Sequence, residues 1–65
     1  MLKISIAKMS VAMVNAGIDS SKRLSAVSGV SVNTISRLRN GGSVKLTTLS
    51  RLAESLGVSP ADLIE

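Results

Sequence analysis

The sequence of 65 residues contains no cysteine and no histidine. These absences exclude disulfide bonds and nearly every zinc or other transition-metal site, because such sites are built from thiolate and imidazole ligands. Tyrosine is absent as well. Since acid–base catalysis at neutral pH relies mainly on these side chains, we expect neither an enzyme nor a bound cofactor.

Phenylalanine and tryptophan are also absent. The core must therefore consist of Leu, Ile, Val, Met and Ala, which favours thin packing of helix on helix. The lack of aromatic rings argues against single-strand and RNA binders, which stack bases on such rings. The length predicts a single domain over residues 1–65. This is close to the smallest size at which a chain folds without disulfide bonds or a bound metal.

Long apolar runs are missing too. The longest unbroken run near the N-terminus is Val11 to Val14, and Lys8 interrupts the stretch before it. This is too short for a signal peptide or a membrane span, so we expect a cytoplasmic protein with no membrane partner. No separate effector domain is evident, so no small-molecule substrate is expected.

The sequence has only four acidic residues against eight basic ones, which gives a net charge of +4, and the acidic residues are unevenly distributed. Between Ser20 and Ala53 there is no acidic residue but six basic ones: Lys22, Arg23, Arg37, Arg39, Lys45 and Arg51. From Glu54 onwards the pattern reverses, with three acidic residues and no basic one. A polyanion would therefore meet the middle of the chain. The alternative is charge that serves solubility alone.

The first predicted helix carries two apolar rows. Residues 1–4 are expected to be extended, because Leu2 and Ile4 alternate with Lys3 and Ser5. Ser5 then caps a helix to about Ala16. The expected core stripe is Ala7, Val11 and Val14. The other row, Ile6, Met9 and Met13, is more apolar surface than one buried face needs.

Residues 20–41, SSKRLSAVSGVSVNTISRLRNG, predict two short helices joined by a tight turn. Ser20 caps the first, Gly29 ends it, and Ser31 caps the second, which runs to about Asn40. The residues expected to point inward are Leu24, Val27, Ile35 and Leu38. Asn33, Ser36, Arg37 and Asn40 share a polar face that suits the DNA major groove.

The remaining sequence predicts two more helices. Ser43 to Leu46 is expected to be a loop carrying Lys45, and Thr47 to cap a helix. That helix has the clearest amphipathic pattern in the chain: Leu49, Leu52, Ala53 and Leu56. Ser59 and Pro60 begin a last short helix to about Ile64. The prediction is an all-α, compact bundle of five short helices.

Leu24, Gly29, Ile35 and Leu38 have the spacing of the helix-turn-helix in Cro/phage-repressor-type proteins, the XRE-like family. The ending Leu56-Gly57-Val58-Ser59-Pro60 resembles that family as well, and the likeness covers about residues 18 to 64. It implies a lambda-repressor-like fold in which the second and third helices form the helix-turn-helix.

The resemblance implies two sets of DNA contacts. By this resemblance the base contacts are Ser31, Val32, Asn33 and Arg37, and the phosphate contacts are Ser20, Ser21, Asn40 and Lys45. From the polar face and the basic stretch themselves we add Ser36 as a base contact and Lys22 as a phosphate contact. Ser20 and Ser31 have a plainer interpretation as helix caps, and Asn33 and Ser36 as solvated positions. Arg39 lies about 200° around the helix from Arg37 and is assigned to solubility.

The function that follows is a sequence-specific regulator of transcription, most simply a repressor, which reads a near-palindromic operator in double-stranded DNA as a homodimer. The alternative is an antitoxin or adaptor whose fold mainly holds a protein partner. The apolar surface for a dimer is expected at the C-terminus (Val58, Leu63, Ile64) or at the N-terminus (Leu2, Ile6, Met9, Met13). N-terminal strands paired between two copies are a further option.

Overall fold

The computed structural model describes residues 2–65. Along the chain these form β1 (Leu2–Lys3), α1 (Ile6–Asn15), α2 (Ser21–Ser28), α3 (Val32–Arg39), β2 (Ser43–Val44), α4 (Leu46–Leu56) and a 3₁₀ turn (Pro60–Leu63). The prediction of five helices in an all-α fold is therefore only partly right. The last helix is a single 3₁₀ turn, and a small sheet is added.

The sheet joins the N-terminal strand to the segment before α4. β1 and β2 are antiparallel, with Leu2 opposite Val44 and Lys3 opposite Ser43. The same N-terminal segment also pairs with the chain end: the Ser5 N–H donates to the Leu63 carbonyl at 2.8 Å, and the Glu65 N–H donates to the Lys3 carbonyl at 3.2 Å. The predicted loop at residues 43–46 is thus partly a strand. Residues 2–5 thus find backbone partners within the chain.

Buried aliphatic side chains from the four helices, β2, the 3₁₀ turn and the connecting segments form the core. Leu24 of α2 and both Ile35 and Leu38 of α3 are fully buried, as predicted. The apolar stripe of α4 is also confirmed, with Leu49, Leu52, Ala53 and Leu56 all buried. The prediction for Val27 is wrong, because this side chain is 55% exposed on α2.

The prediction for α1 chose the wrong row. Met9 and Met13 are buried, 1% and 3% exposed, together with Ala12 between them. Ala7 is exposed, and Val11 and Val14 are 59% and 76% exposed. Both rows have helical spacing, so periodicity alone does not separate them. The long, unbranched methionines reach the other core residues and fill the space between the helices.

Most residues predicted for a dimer contact are already used by the core. Met9, Met13 and Leu63 are buried, and Leu2, Val58 and Ile64 are half-buried against the core. Ile6 is the exception, because nearly half of its surface remains exposed. A dimer contact through Met9, Met13 or Leu63 is therefore excluded in the folded chain.

The predicted caps are confirmed at three helices. The side-chain oxygens of Ser5, Ser20 and Ser31 accept hydrogen bonds from the backbone N–H three residues ahead, at 3.1 to 3.3 Å. The prediction for Thr47 is wrong, since α4 begins at Leu46. Its cap position is Lys45, which makes no side-chain capping hydrogen bond. None of the helices in residues 2–65 is long and apolar enough to cross a membrane.

Candidate nucleic-acid interface

The turn between α2 and α3 is fixed by one glycine and one serine. Gly29 has a φ of 75°, in the left-handed region that favours glycine, and its N–H donates to the Ser25 carbonyl. Ser28 Oγ donates to the Leu24 carbonyl at 2.7 Å and accepts from the Val30 N–H at 3.2 Å. With Val30 buried beneath it, this turn holds the two helices in one arrangement.

The burial of α3 on one side determines what the other side presents. Ile35 and Leu38 are fully buried, whereas the predicted base-contact residues Val32, Asn33, Ser36 and Arg37 are all exposed. At about 100° per residue, these four positions cover an arc of about 140°. The structure therefore brings them onto one continuous exposed face of α3.

Arg37 marks one edge of this face and lies beside the start of α4. A groove of about 330 Å³ separates the two helices and is lined by Thr34, Arg37, Val44, Lys45 and Thr48. The predicted phosphate contact Lys45 and the predicted base contact Arg37 thus share one groove. Two cations that line the same groove favour an anionic ligand.

Gly42 packs closely against Arg37. Its N–H donates to the Arg37 carbonyl at 3.2 Å, and a Cβ atom at position 42 would lie 3.1 Å from both Arg37 Cγ and that carbonyl oxygen. The lack of a side chain at position 42 therefore lets the turn after α3 lie on the stem of Arg37.

Arg39 marks the opposite edge of the face and lies beside the start of α2. Its Nη1 donates to Ser21 Oγ at 3.0 Å, and a groove of about 310 Å³ there is lined by Ser21, Ser36, Arg39 and Asn40. The sequence alone predicts only a solubility role for Arg39. The signal that could have revealed it is its position three residues after Ser36 and next to Asn40.

Several predicted contact residues already make hydrogen bonds within the chain. Ser31 Oγ donates its one proton to Thr34 Oγ1 at 2.8 Å, so it keeps only acceptor capacity for a ligand. Asn40 Nδ2 donates to the Ser36 carbonyl at 3.0 Å, which leaves one amide proton. Lys22 and Lys45 are both exposed.

Within residues 2–65, ion pairing is present at the chain end but not among the basic groups of residues 20–53. Lys3 and Lys8 lie at the chain end: Lys3 Nζ is 4.0 Å from a Glu65 carboxylate oxygen, and Lys8 Nζ donates to the Ile64 carbonyl at 3.1 Å. Within residues 2–65, no carboxylate lies within 4.0 Å of the six basic groups between positions 20 and 53. The positive charge around α3 is thus not neutralised by ion pairs in this part of the chain.

An exposed polar helix, set on a capped second helix by a glycine turn and flanked by cations, defines a helix-turn-helix domain. Residues 8–65 match the family model of the Cro/C1-type helix-turn-helix DNA-binding domain. The chain belongs to this family, and the match begins within α1 and includes every later element. No curated protein and no solved structure matches the chain.

Proposed function

We propose that this protein regulates transcription, as a repressor, by binding a specific operator in double-stranded DNA with α3 in the major groove. The observation that carries the proposal is the exposed face of α3 between Arg37 and Arg39. Across residues 2–65, neither arginine has a carboxylate within 4.0 Å. Repression requires only that the bound protein occlude the promoter, so DNA binding is sufficient for it.

Five side chains on or beside this face read bases. Arg37 has two donors in the geometry of a guanine edge, Asn33 matches adenine, and Val32 can rest on a thymine methyl. Ser31 contributes as an acceptor, and Ser36 adds a hydroxyl beside Arg39. Each good bidentate pair is worth about 1–3 kcal/mol of discrimination against the wrong base.

Phosphate contacts surround the base contacts. Lys45 approaches the backbone from the α4 side, and Lys22, Ser21 and the free N–H groups at the start of α2 approach from the other side. Ser20 Oγ occupies the Arg23 N–H as a cap, so the N–H groups of Ser21 and Lys22 at the helix start are the ones offered to phosphate. Asn40 has one amide proton left for the same purpose.

The working species is a homodimer. One recognition helix reads only a few base pairs, which is too few to select an operator in a genome. Two copies related by a two-fold axis read half-sites about 34 Å apart, so the operator is a near-palindrome. The alternative function, an antitoxin or adaptor that holds a protein partner, requires no such site.

Selection of bound duplexes from a random-sequence pool tests the proposal and supplies the operator. On that operator, Arg37→Ala should cost about 1–3 kcal/mol and relax the preference at one base pair. Lys45→Ala should weaken binding to all duplexes alike and flatten the salt dependence by about 0.9 in log K against log salt. A pool that yields no enriched duplex would contradict the proposal.

A further inference from the structure

An apolar ridge of three side chains runs along the solvent side of α1. The ridge consists of Ala7, Val11 and Val14, at the i, i+4 and i+7 positions that align on one face of a helix. Val11 and Val14 are 59% and 76% exposed. Aliphatic side chains aligned in this way are typical of a helix face that packs on another surface.

Two grooves adjoin the ridge. One, of about 420 Å³, is bounded by α1 and by the segment of the 3₁₀ turn, and its lining includes Ala7, Lys8, Val11, Asn15, Val58 and Asp62. The other, of about 220 Å³, is lined by Ser10, Val11, Val14 and Asn15. A ridge with a groove beside it can interlock with a copy of itself, as helices do when ridges pack into grooves.

The charges of the larger groove are also self-complementary. Lys8 on the α1 side and Asp62 on the side of the 3₁₀ turn line the same groove. A two-fold contact presents the same surface on both partners, so Lys8 of each copy can face Asp62 of the other. Phosphate is a poor occupant here, because Asp62 repels it and the ridge is apolar.

We infer that the α1 ridge and the larger groove form the contact between two copies of this chain, with the two α1 helices crossing antiparallel near Val11. The inference rests on the homodimer of the proposed function and specifies its interface. Val11 of each copy enters the groove of the other, and Val58 forms part of the apolar wall that it meets.

The size of the chain sets how far this contact must reach. An interface of standard size takes about 800 Å² from each partner, which is about a fifth of the chain's 3874 Å² of accessible surface. Three ridge side chains do not supply that area. To reach that area the contact must include the groove wall at Val58 and the 3₁₀ turn, and binding of both copies to a two-half-site operator would reinforce it.

Single cysteines test the contact directly, since the sequence contains none. Val11→Cys places one thiol at the crossing point, where Val11 is 59% exposed. Val27→Cys is the control: it places one thiol on α2, where Val27 is 55% exposed. A short bismaleimide should join Val11→Cys into a dimer and leave Val27→Cys monomeric. Equal cross-linking of the two variants, or none of Val11→Cys, would overturn the inference.

Charged substitutions give the matching equilibrium test. Val11→Asp should weaken dimerisation at least about tenfold, because it places an unpaired charge in an apolar contact in each copy. Val27→Asp should leave dimerisation unchanged, and the thermal melting of both monomers should stay close to that of the unmodified chain. Sedimentation equilibrium measures the assembly.

The outcomes separate the interface from the proposed function. If Val11→Asp dimerises like the unmodified chain, the interface is wrong while the homodimer stands. If the unmodified chain stays monomeric at every concentration and binds the selected duplex as a single copy, the homodimer itself is wrong. The ridge is then not a contact between two copies of this chain. If Val11→Asp binds a one-half-site duplex with the affinity of the unmodified chain, but no longer binds a two-half-site duplex more tightly than that, the inference is supported.

Discussion

The guanidinium of Arg39 donates a 3.0 Å hydrogen bond to the hydroxyl of Ser21, although the two residues are 18 positions apart. The bond joins the end of α3 to the beginning of α2. It holds a cation beside a helix N-terminus, whose free N–H groups attract anions. The exposed face of α3 is consequently bordered by one arginine on each side, Arg37 towards α4 and Arg39 towards α2.

Removal of the Arg39 charge should weaken binding to DNA of any sequence. We expect Arg39→Gln to flatten the slope of log K against log salt by about 0.9, the effect of one lost phosphate contact. Arg51→Gln removes the same charge from a different groove, beside Val27 and Glu54, and serves as the control. Fluorescence anisotropy across a salt series measures both, and equal slopes for the two variants would show that Arg39 acts only through net charge.

A methyl group at position 42 should disturb Arg37. Because a Cβ there would lie 3.1 Å from the Arg37 carbonyl oxygen, Gly42→Ala forces the backbone or the arginine stem to move, at a cost of about 1–3 kcal/mol in stability. We expect a larger loss of affinity for the operator than for random duplex.

The control for that effect is Gly17→Ala. Gly17 has a φ of 73°, and a Cβ atom at this position would meet no other atom within 4 Å, so alanine there strains the backbone without touching the interface. It should lower the melting temperature and leave the ratio of operator to random affinity unchanged. A fall of that ratio in both variants would assign the effect to general destabilisation.

Shortening Met9 should destabilise the fold severely. Met9 is 1% exposed, and truncating a fully buried methionine costs about 2–5 kcal/mol. A domain of this size has a total unfolding free energy of about 3–10 kcal/mol. Urea denaturation of Met9→Ala should therefore show a large fraction of that stability lost, whereas Val14→Ala in dilute solution should change it by less than about 0.5 kcal/mol.

The two predicted helix caps at Ser31 and Thr47 should differ in a stability measurement. Ser31 Oγ accepts from the Thr34 N–H at 3.2 Å, so Ser31→Ala should cost about 1 kcal/mol. Thr47 lies inside the first turn of α4 and does not occupy its cap position, so Thr47→Ala should be neutral or slightly stabilising. Equal losses in thermal melts would place the start of α4 at Thr47 after all.

Local signals explain why the centre of the chain could be predicted from its sequence. Ser20, Gly29 and Ser31 act through hydrogen bonds and backbone angles within a few residues, and the α4 stripe is apolar on one side only. The helix bounds and the exposed face of α3 follow from these features. The contact residues themselves remain predictions.

Apart from the cap assigned to Thr47, which is a local error at the start of α4, the main failures of prediction involve partners distant in sequence. The two rows of α1 are equally periodic, and only packing against the other helices decides that Met9 and Met13 are buried. β1 has its partners at residues 43–44 and 63–65, which no local pattern reveals. The Arg39–Ser21 bond likewise depends on how α3 lies across α2, so spacing within α3 could not give it.

Lys45 has a consequence for any redesign of this domain. It occupies the cap position of α4, where Ser, Asp or Asn would satisfy a free N–H group and favour the helix dipole. Those residues would also remove a cation from the groove that it shares with Arg37. The residue at position 45 that gives the highest thermal stability is therefore not the residue that gives the highest affinity for a polyanion. A variant optimised for thermal stability at this position would lose part of its affinity for polyanions.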